Sequence, residues 1–246
     1  MNLFLDAIAW IADPVNWSGP SGIPTRFAEQ LYVTFVVLVI AAVIALPIGM
    51  VIGHTGKGRG FAVAVSGGLR ALPTLGVLTL VGLWVGIGLT APIISLVILA
   101  IPSLLAGAYS GFEAIDRRTV DAARSLGMTE LQIVTKVELP LGLPLLIGGV
   151  RAATLQIVAT ATLAAYVADV GLGRYLFQGI KTQDYAEALG GSILVVILAL
   201  VLDGLLALTQ RLVVPAGVRA AAVQEVRTRP SRSRAVVGQP IEEGKK

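Results

Sequence analysis

Few side chains in this 246-residue sequence could do chemistry, and their types narrow the choice. Cysteine is absent, which excludes a disulfide scaffold and thiolate metal or redox sites. The single histidine, His54, stands in a short turn among glycines, so a histidine metal cluster is excluded too. That turn, His54-Thr55-Gly56-Lys57-Gly58-Arg59-Gly60, contains a Gly-Lys pair. A phosphate loop needs G-x-x-x-x-G-K-[ST], yet Val51 and Gly58 occupy the first glycine and the Ser/Thr positions. No H-E-x-x-H or G-x-S-x-G occurs, so an intramembrane hydrolase lacks its nucleophile and base. What remains are ionisable and polar residues inside apolar runs. Arg70, Arg151 and Asp203 are expensive in lipid, and the expectation is that Asp203 pairs with Arg70 or Arg151. One acid without a polar chain argues against a proton relay. Gly149, Ala153, Gln156, Thr160 and Ala164 recur every three or four residues, a stripe suited either to close helix packing or to lining a pathway. Trp84, Tyr109, Phe112 and Tyr166 could cage a quaternary ammonium group, but scattered aromatics read as packing or interface anchors.

The elements that hold these residues are membrane spans. The chain is 55% hydrophobic with only 14% charged residues, far below the quarter or so of a soluble domain, and its mean hydropathy is +0.83. The expectation is an all-α polytopic membrane protein with about five spans, near residues 31–53, 71–88, 92–112, 144–168 and 191–212. Residues 61–88 are too long for one straight span, so an interfacial segment ending near Arg70 precedes the second. Residues 1–26 read as an extracytoplasmic segment with Trp10 and Trp17 as headgroup-level anchors. This segment has Asp6 and Asp13 and no basic n-region, so no cleavable signal is expected. Residues 169–190 form a polar outer loop, and residues 215–246 a basic, disordered tail.

Lysine and arginine are unevenly placed. Lys57, Arg59, Arg117, Arg118, Arg124, Lys136, Arg211 and the tail fall on one side, and only Arg26, Arg174 and Lys181 on the other. The rich side faces the cytoplasm, with the N-terminus outside and the C-terminus inside. This placement, in a plasma or inner membrane, accounts for the net charge of +4 without nucleic acid.

The longest polar interruption lies at residues 120–140, within a loop of about 113–143. Two helices are expected. One, about 119–126, places Ala122, Ala123 and Leu126 on one face and ends at Gly127. The other, about 128–139, is amphipathic through Met128, Leu131, Val134 and Val137, and Pro140 stops it. Such a loop fits a groove on a partner.

This stretch resembles the "EAA loop" of permease subunits of type I ATP-binding-cassette importers. The family pattern is E-A-A, three residues, G, nine residues, I, one residue, L-P. Here Asp121-Ala122-Ala123, Gly127, Val137 and Leu139-Pro140 fall at that spacing, with Asp for Glu and Val for Ile. Within the family, Arg70-Ala71-Leu72-Pro73-Thr74-Leu75, Gly86-Ile87-Gly88, Thr160-Ala161-Thr162-Leu163-Ala164-Ala165 and Gly171-Leu172-Gly173 are similar to glycine betaine, carnitine and choline permeases.

The resemblance covers residues 27–210 and implies a transport subunit, not an enzyme. It implies a separate ATPase that binds ATP and magnesium, a second permease chain and an extracytoplasmic binding protein, with no cofactor on this chain. An importer of another small solute, such as an amino acid, shares everything but the short matches. A secondary transporter should show internal repeats and midplane ion sites, and neither is evident.

Overall fold

The computed structural model describes residues 2–215 and Gly217; the rest of the basic tail lies outside the described residues. The described elements are helical: α1 Leu3–Ala12, α2 Ile23–Thr55, α3 Arg59–Ala71, α4 Thr74–Val85, α5 Thr90–Glu113, α6 Arg117–Ser125, α7 Glu130–Ile133, α8 Leu139–Ala161, α9 Ala165–Ala168, α10 Gly173–Thr182 and α11 Tyr185–Val213. Among the described residues, four stretches are long and apolar enough to cross a membrane: α2, α5, the composite rod Glu130–Ala168, and α11. The bent pair α3 and α4 makes a fifth if it counts as one span.

Several boundaries differ from the sequence reading. The expected span at 71–88 is instead α4, only 12 residues and about 18 Å long. It follows α3 across an 87° bend at Leu72-Pro73, because the residue before a proline is pushed out of helical geometry. Residues 169–190 are not a plain loop but carry α10. The N-terminal segment contains α1, which packs on α11. Trp10 is half-buried over Gly190, edge-on to Tyr175 at 5.0 Å, so it packs α1 onto α11 and α10. Trp17 stays exposed and donates its indole N–H to the Ile11 carbonyl at 2.7 Å.

Pro140 does not stop the helix. It sits in the first turn of α8, where a missing N–H is tolerated. One wide π turn, Val134–Glu138, joins α7 to α8 and carries the helix through.

The core forms where α2, α5 and α8 meet. Val33, Val37, Ala41 and Ala45 of α2 pack with Leu96, Ala100 and Leu104 of α5 and Ala153 and Ile157 of α8. Small residues set the spacing. A Cβ on Gly149 would lie 2.7 Å from the Gly107 Cα, so the two backbones are in contact there. The outward faces keep Phe35, Val43 and Val51 of α2 and Val196, Leu200 and Leu205 of α11 exposed, as lipid-facing helices do.

Candidate functional site: the loop end and the α8 stripe

At the loop end, Asp116 caps α6 by accepting from Arg118 N at 2.9 Å. α6 ends in a Schellman turn. Gly127 takes φ +81°, its N–H reaches the Arg124 carbonyl at 2.9 Å, and Met128 N reaches the Ala123 carbonyl at 3.2 Å. Thr129 and Gln132 then form a reciprocal capping box that starts α7. Each chain reversal is therefore written in the local sequence.

The loop buries a different face from the expected one. Val120, Ala123 and Ile133 form the inner cluster, flanked by Ile115, Met128 and Val137. Asp121, Ala122 and Gly127 are exposed, and Leu139 and Pro140 are half-buried. Leu126 is 84% exposed and Leu131 74% exposed. Ile133, not Leu131, takes the inner position, and Leu126 and Leu131 form an apolar surface on an otherwise polar loop.

Polar contacts fix the loop. Arg124 donates to Glu130 at 2.6 and 3.0 Å and to Asp121 at 3.0 Å. The Arg124 guanidinium holds the Glu130 carboxyl below its ordinary value. Arg117 donates to the His54 and Gly53 carbonyls at 2.9 and 3.0 Å, tying α6 to the end of α2. His54 itself lies in the last turn of α2, not in the glycine turn, and its ring faces Glu130 and Glu138. The sequence reading missed this contact. The only signal was a histidine at the end of an apolar span opposite a loop rich in glutamate.

Along α8, Gly149 and Ala153 are buried, as is Ala164 in the short 3-10 turn that follows, and Gly149 lies against α5. Gln156 accepts from Ser103 at 2.8 Å and donates to the Leu99 carbonyl at 3.0 Å, so both ends of its amide are engaged by α5. Thr160 turns its hydroxyl back to the Gln156 carbonyl at 2.7 Å. Within this chain Gly149 and Gln156 are engaged by α5, and Thr160 by its own helix.

On the opposite flank of α8, Arg151 and Asp203 form a bidentate pair, both contacts at 2.9 Å. Arg151 also donates to Gln210 at 3.1 Å, and Gln210 donates to the Pro144 carbonyl at 3.1 Å. Arg70 takes no part; it is exposed at the end of α3.

The opposite end of α2 is tied as firmly. Buried Gln30 donates to the Val158 carbonyl at 3.0 Å and accepts from Leu172 N at 3.2 Å. Arg26 donates to the Asp169 carbonyl at 2.7 Å.

Among known proteins, the family described as "binding-protein-dependent transport system inner membrane component" matches residues 45–217, which contain the bent pair, the capped loop and the α8–α11 pair. The chain belongs to that family.

Several transport permease proteins are similar to this chain over most of their length. The glycine betaine/carnitine/choline transport system permease protein OpuCB of Bacillus subtilis is 29% identical over 194 residues, 79% of this chain and 89% of its own. The osmoprotectant import permease protein OsmY of Salmonella typhimurium is 30% identical over 182 residues, 73% of this chain and 77% of its own. Among solved structures, a chain of the MetNI methionine ABC transporter in inward-facing conformations matches with a TM-score of 0.67 at 26% identity. That match covers 76% of this chain and 94% of the other. The likeness to an ABC importer permease therefore holds for both sequence and fold.

Proposed function

We propose that this permease carries an osmoprotectant, a quaternary amine such as glycine betaine, choline, carnitine or proline betaine, across the membrane as one half of an ATP-driven importer. The observation that carries the reading is the loop at 116–140. Its ends are capped, its inner face is buried, and it projects Leu126 and Leu131 where a partner's groove would receive them. The substrate class follows from relatives whose names give glycine betaine, choline and carnitine.

In this reading the ATPase subunit grips the loop on the cytoplasmic side, and Asp121, Ala122, Ala123, Leu126 and Gly127 shape the contact. ATP and magnesium bind on that partner. A second permease chain, identical or related, completes the pathway. A binding protein delivers substrate at the other end, around α10 and its neighbouring turns. Orientation is supported by the lysine and arginine bias: Lys57, Arg59, Arg117, Arg118, Arg124 and Lys136 lie toward the loop end, and only Arg26, Arg174 and Lys181 toward the other. With five crossings the N-terminus lies outside and the C-terminus inside. The same geometry transmits force. Closure of two ATPase subunits would push the loops, and Arg117 passes that push to the end of α2.

The test is purification in mild detergent. A stoichiometric ATPase subunit accompanies the native chain and is lost when Ala123 and Gly127 are made bulky. Recovery of the chain alone under several gentle conditions overturns the reading. A second reading, import of an amino acid, is favoured by the shared fold with the methionine transporter chain. Competition of labelled betaine uptake by amino acids separates the two.

A further inference from the structure

The joint of the bent pair carries an unpaired cation. Arg70 stands in the last turn of α3, just before the break at Leu72-Pro73. It is exposed, as are Ala71, Leu72 and Pro73 after it. Arg26, Arg59, Arg124, Arg151 and Arg174 each meet a carboxylate, whereas Arg70 meets none among the described residues.

The lengths of the two arms bound its depth. At the loop end α3 begins with Arg59, whose guanidinium is paired with Glu113 at the end of α5. At the other end α4 returns to the start of α5: a Cβ on Gly82 would stand 4.0 Å from the Ala91 Cβ. Arg59 to Arg70 rises about 17 Å and Pro73 to Gly82 about 14 Å, whereas α5 covers about 33 Å between Ala91 and Glu113. Neither arm covers that distance alone. With 87° between them both must climb, so the joint lies inside the membrane and stands off from α5. The Cα–Cβ bond of a helical residue tilts toward the helix N-terminus, so Arg70 leans from the joint back into the membrane.

A lone cation at such a depth is costly in lipid and is stable where it meets water or an anion. The described residues supply no anion there. Asp203 is held by Arg151 in two hydrogen bonds, and Glu113, Glu138 and Asp169 lie at helix ends. A second copy of the chain would bring the same set. What remains for Arg70 is the aqueous pathway between two permease chains and the solute that passes through it.

We propose that Arg70 lines the translocation pathway and receives the carboxylate of a zwitterionic substrate. This rests on the permease reading and divides its substrates. Glycine betaine, carnitine and proline betaine carry a carboxylate, and choline carries only a hydroxyl. A guanidinium binds a carboxylate through two parallel hydrogen bonds, an arrangement a hydroxyl does not complete. To choline, a cation with no anionic group, Arg70 presents like-charge repulsion. Leu72 and Leu75, exposed on either side of Pro73, offer apolar surface to the N-methyl groups. Arg70 therefore selects the zwitterions over choline, by attraction to one and repulsion of the other.

The test is a ratio of two substrates in one complex. The permease, with its ATPase and binding protein, is reconstituted in vesicles. ATP-driven uptake of glycine betaine and of choline is measured with binding protein in excess. Arg70→Gln lowers the betaine-to-choline ratio about tenfold against the native chain, the worth of one charge-assisted hydrogen bond. Arg70→Lys keeps the charge without the fork and falls between. The ratio cancels any loss of folded protein. Because the chain has no cysteine, Arg70→Cys is a single reporter. It reacts with a charged, water-borne thiol reagent in the assembled complex, while Val43→Cys, on the outward face of α2, does not. An unchanged ratio, an equal fall in both substrates, or an unreactive Arg70→Cys variant overturns the proposal and leaves the permease reading standing. Absence of ATP-driven uptake of either substrate by the native complex overturns both.

Discussion

Arg151 and Asp203 meet through two parallel hydrogen bonds of 2.9 Å, and Gln210 accepts a third from the same guanidinium at 3.1 Å. The bidentate geometry joins α8 to α11, the last long helix, which also meets the bundle through Gln210 and apolar side chains such as Leu194 and Leu198. Replacing Asp203 by Asn, or Arg151 by Gln, leaves the other partner unpaired and is expected to lower the melting temperature in detergent. The two changes together should lower it by less than their sum. Arg70→Gln, at an exposed side chain outside the pair, should leave it within error. Strict additivity of the first two would show that the contact contributes nothing.

The contact between Gly107 and Gly149 is equally specific. A Cβ at either position meets backbone, which cannot move aside as a side-chain tip can. Gly149→Ala is expected to destabilise the chain by about 1–3 kcal/mol through overpacking, and Gly149→Leu to prevent assembly of α5 on α8. Gly148→Ala, one residue away in open space, is the control and should be near neutral. Thermal unfolding in one detergent compares all three.

Leu131 is exposed on the loop and contributes little to its inner cluster. Leu131→Asp should leave the melting temperature of the isolated chain unchanged. It should weaken ATPase binding by about thirtyfold, as removal of a central apolar anchor worth about 2 kcal/mol does. Titrating purified ATPase against labelled permease reads this directly. Unchanged affinity would move the docking surface elsewhere.

Tyr175 supplies a pH marker at the opposite end of the bundle. Its hydroxyl donates to the Ser21 carbonyl at 2.7 Å, and burial pushes its ionisation from the ordinary 10.0 up to about 12. The raised value favours the neutral phenol in the folded state. Its stabilising share is therefore complete below pH 10 and lost as pH rises through about 12. Ultraviolet titration should show one tyrosine ionising late, and Tyr175→Phe should remove that step.

The loop spacing was legible because a Schellman glycine and a capping box are local signals: Gly127, Thr129 and Gln132 act on their own backbone. The apolar runs of α2, α5 and α11 were legible because lipid demands unbroken hydrophobic length. Pro140 misled because a proline breaks a helix only where its missing N–H is needed; here it falls in the first turn of α8, just after the π turn Val134–Glu138. The stripe on α8 was visible, but its destination was not, since whether Gln156 meets water or Ser103 depends on a helix 53 residues away. Gln30 and His54 were missed for the same reason. Their partners, Leu172 and Glu138, are remote in sequence, and polar residues within or beside apolar spans do not announce where they bond.

The most direct test of the central claim is betaine uptake by vesicles holding this chain, its ATPase and its binding protein. Uptake that requires ATP inside, stops when Leu131 is made Asp, and is blocked by choline or carnitine but not by methionine is the predicted result. Uptake driven by an ion gradient without the ATPase, or ATP-driven uptake of methionine in place of betaine, would contradict it.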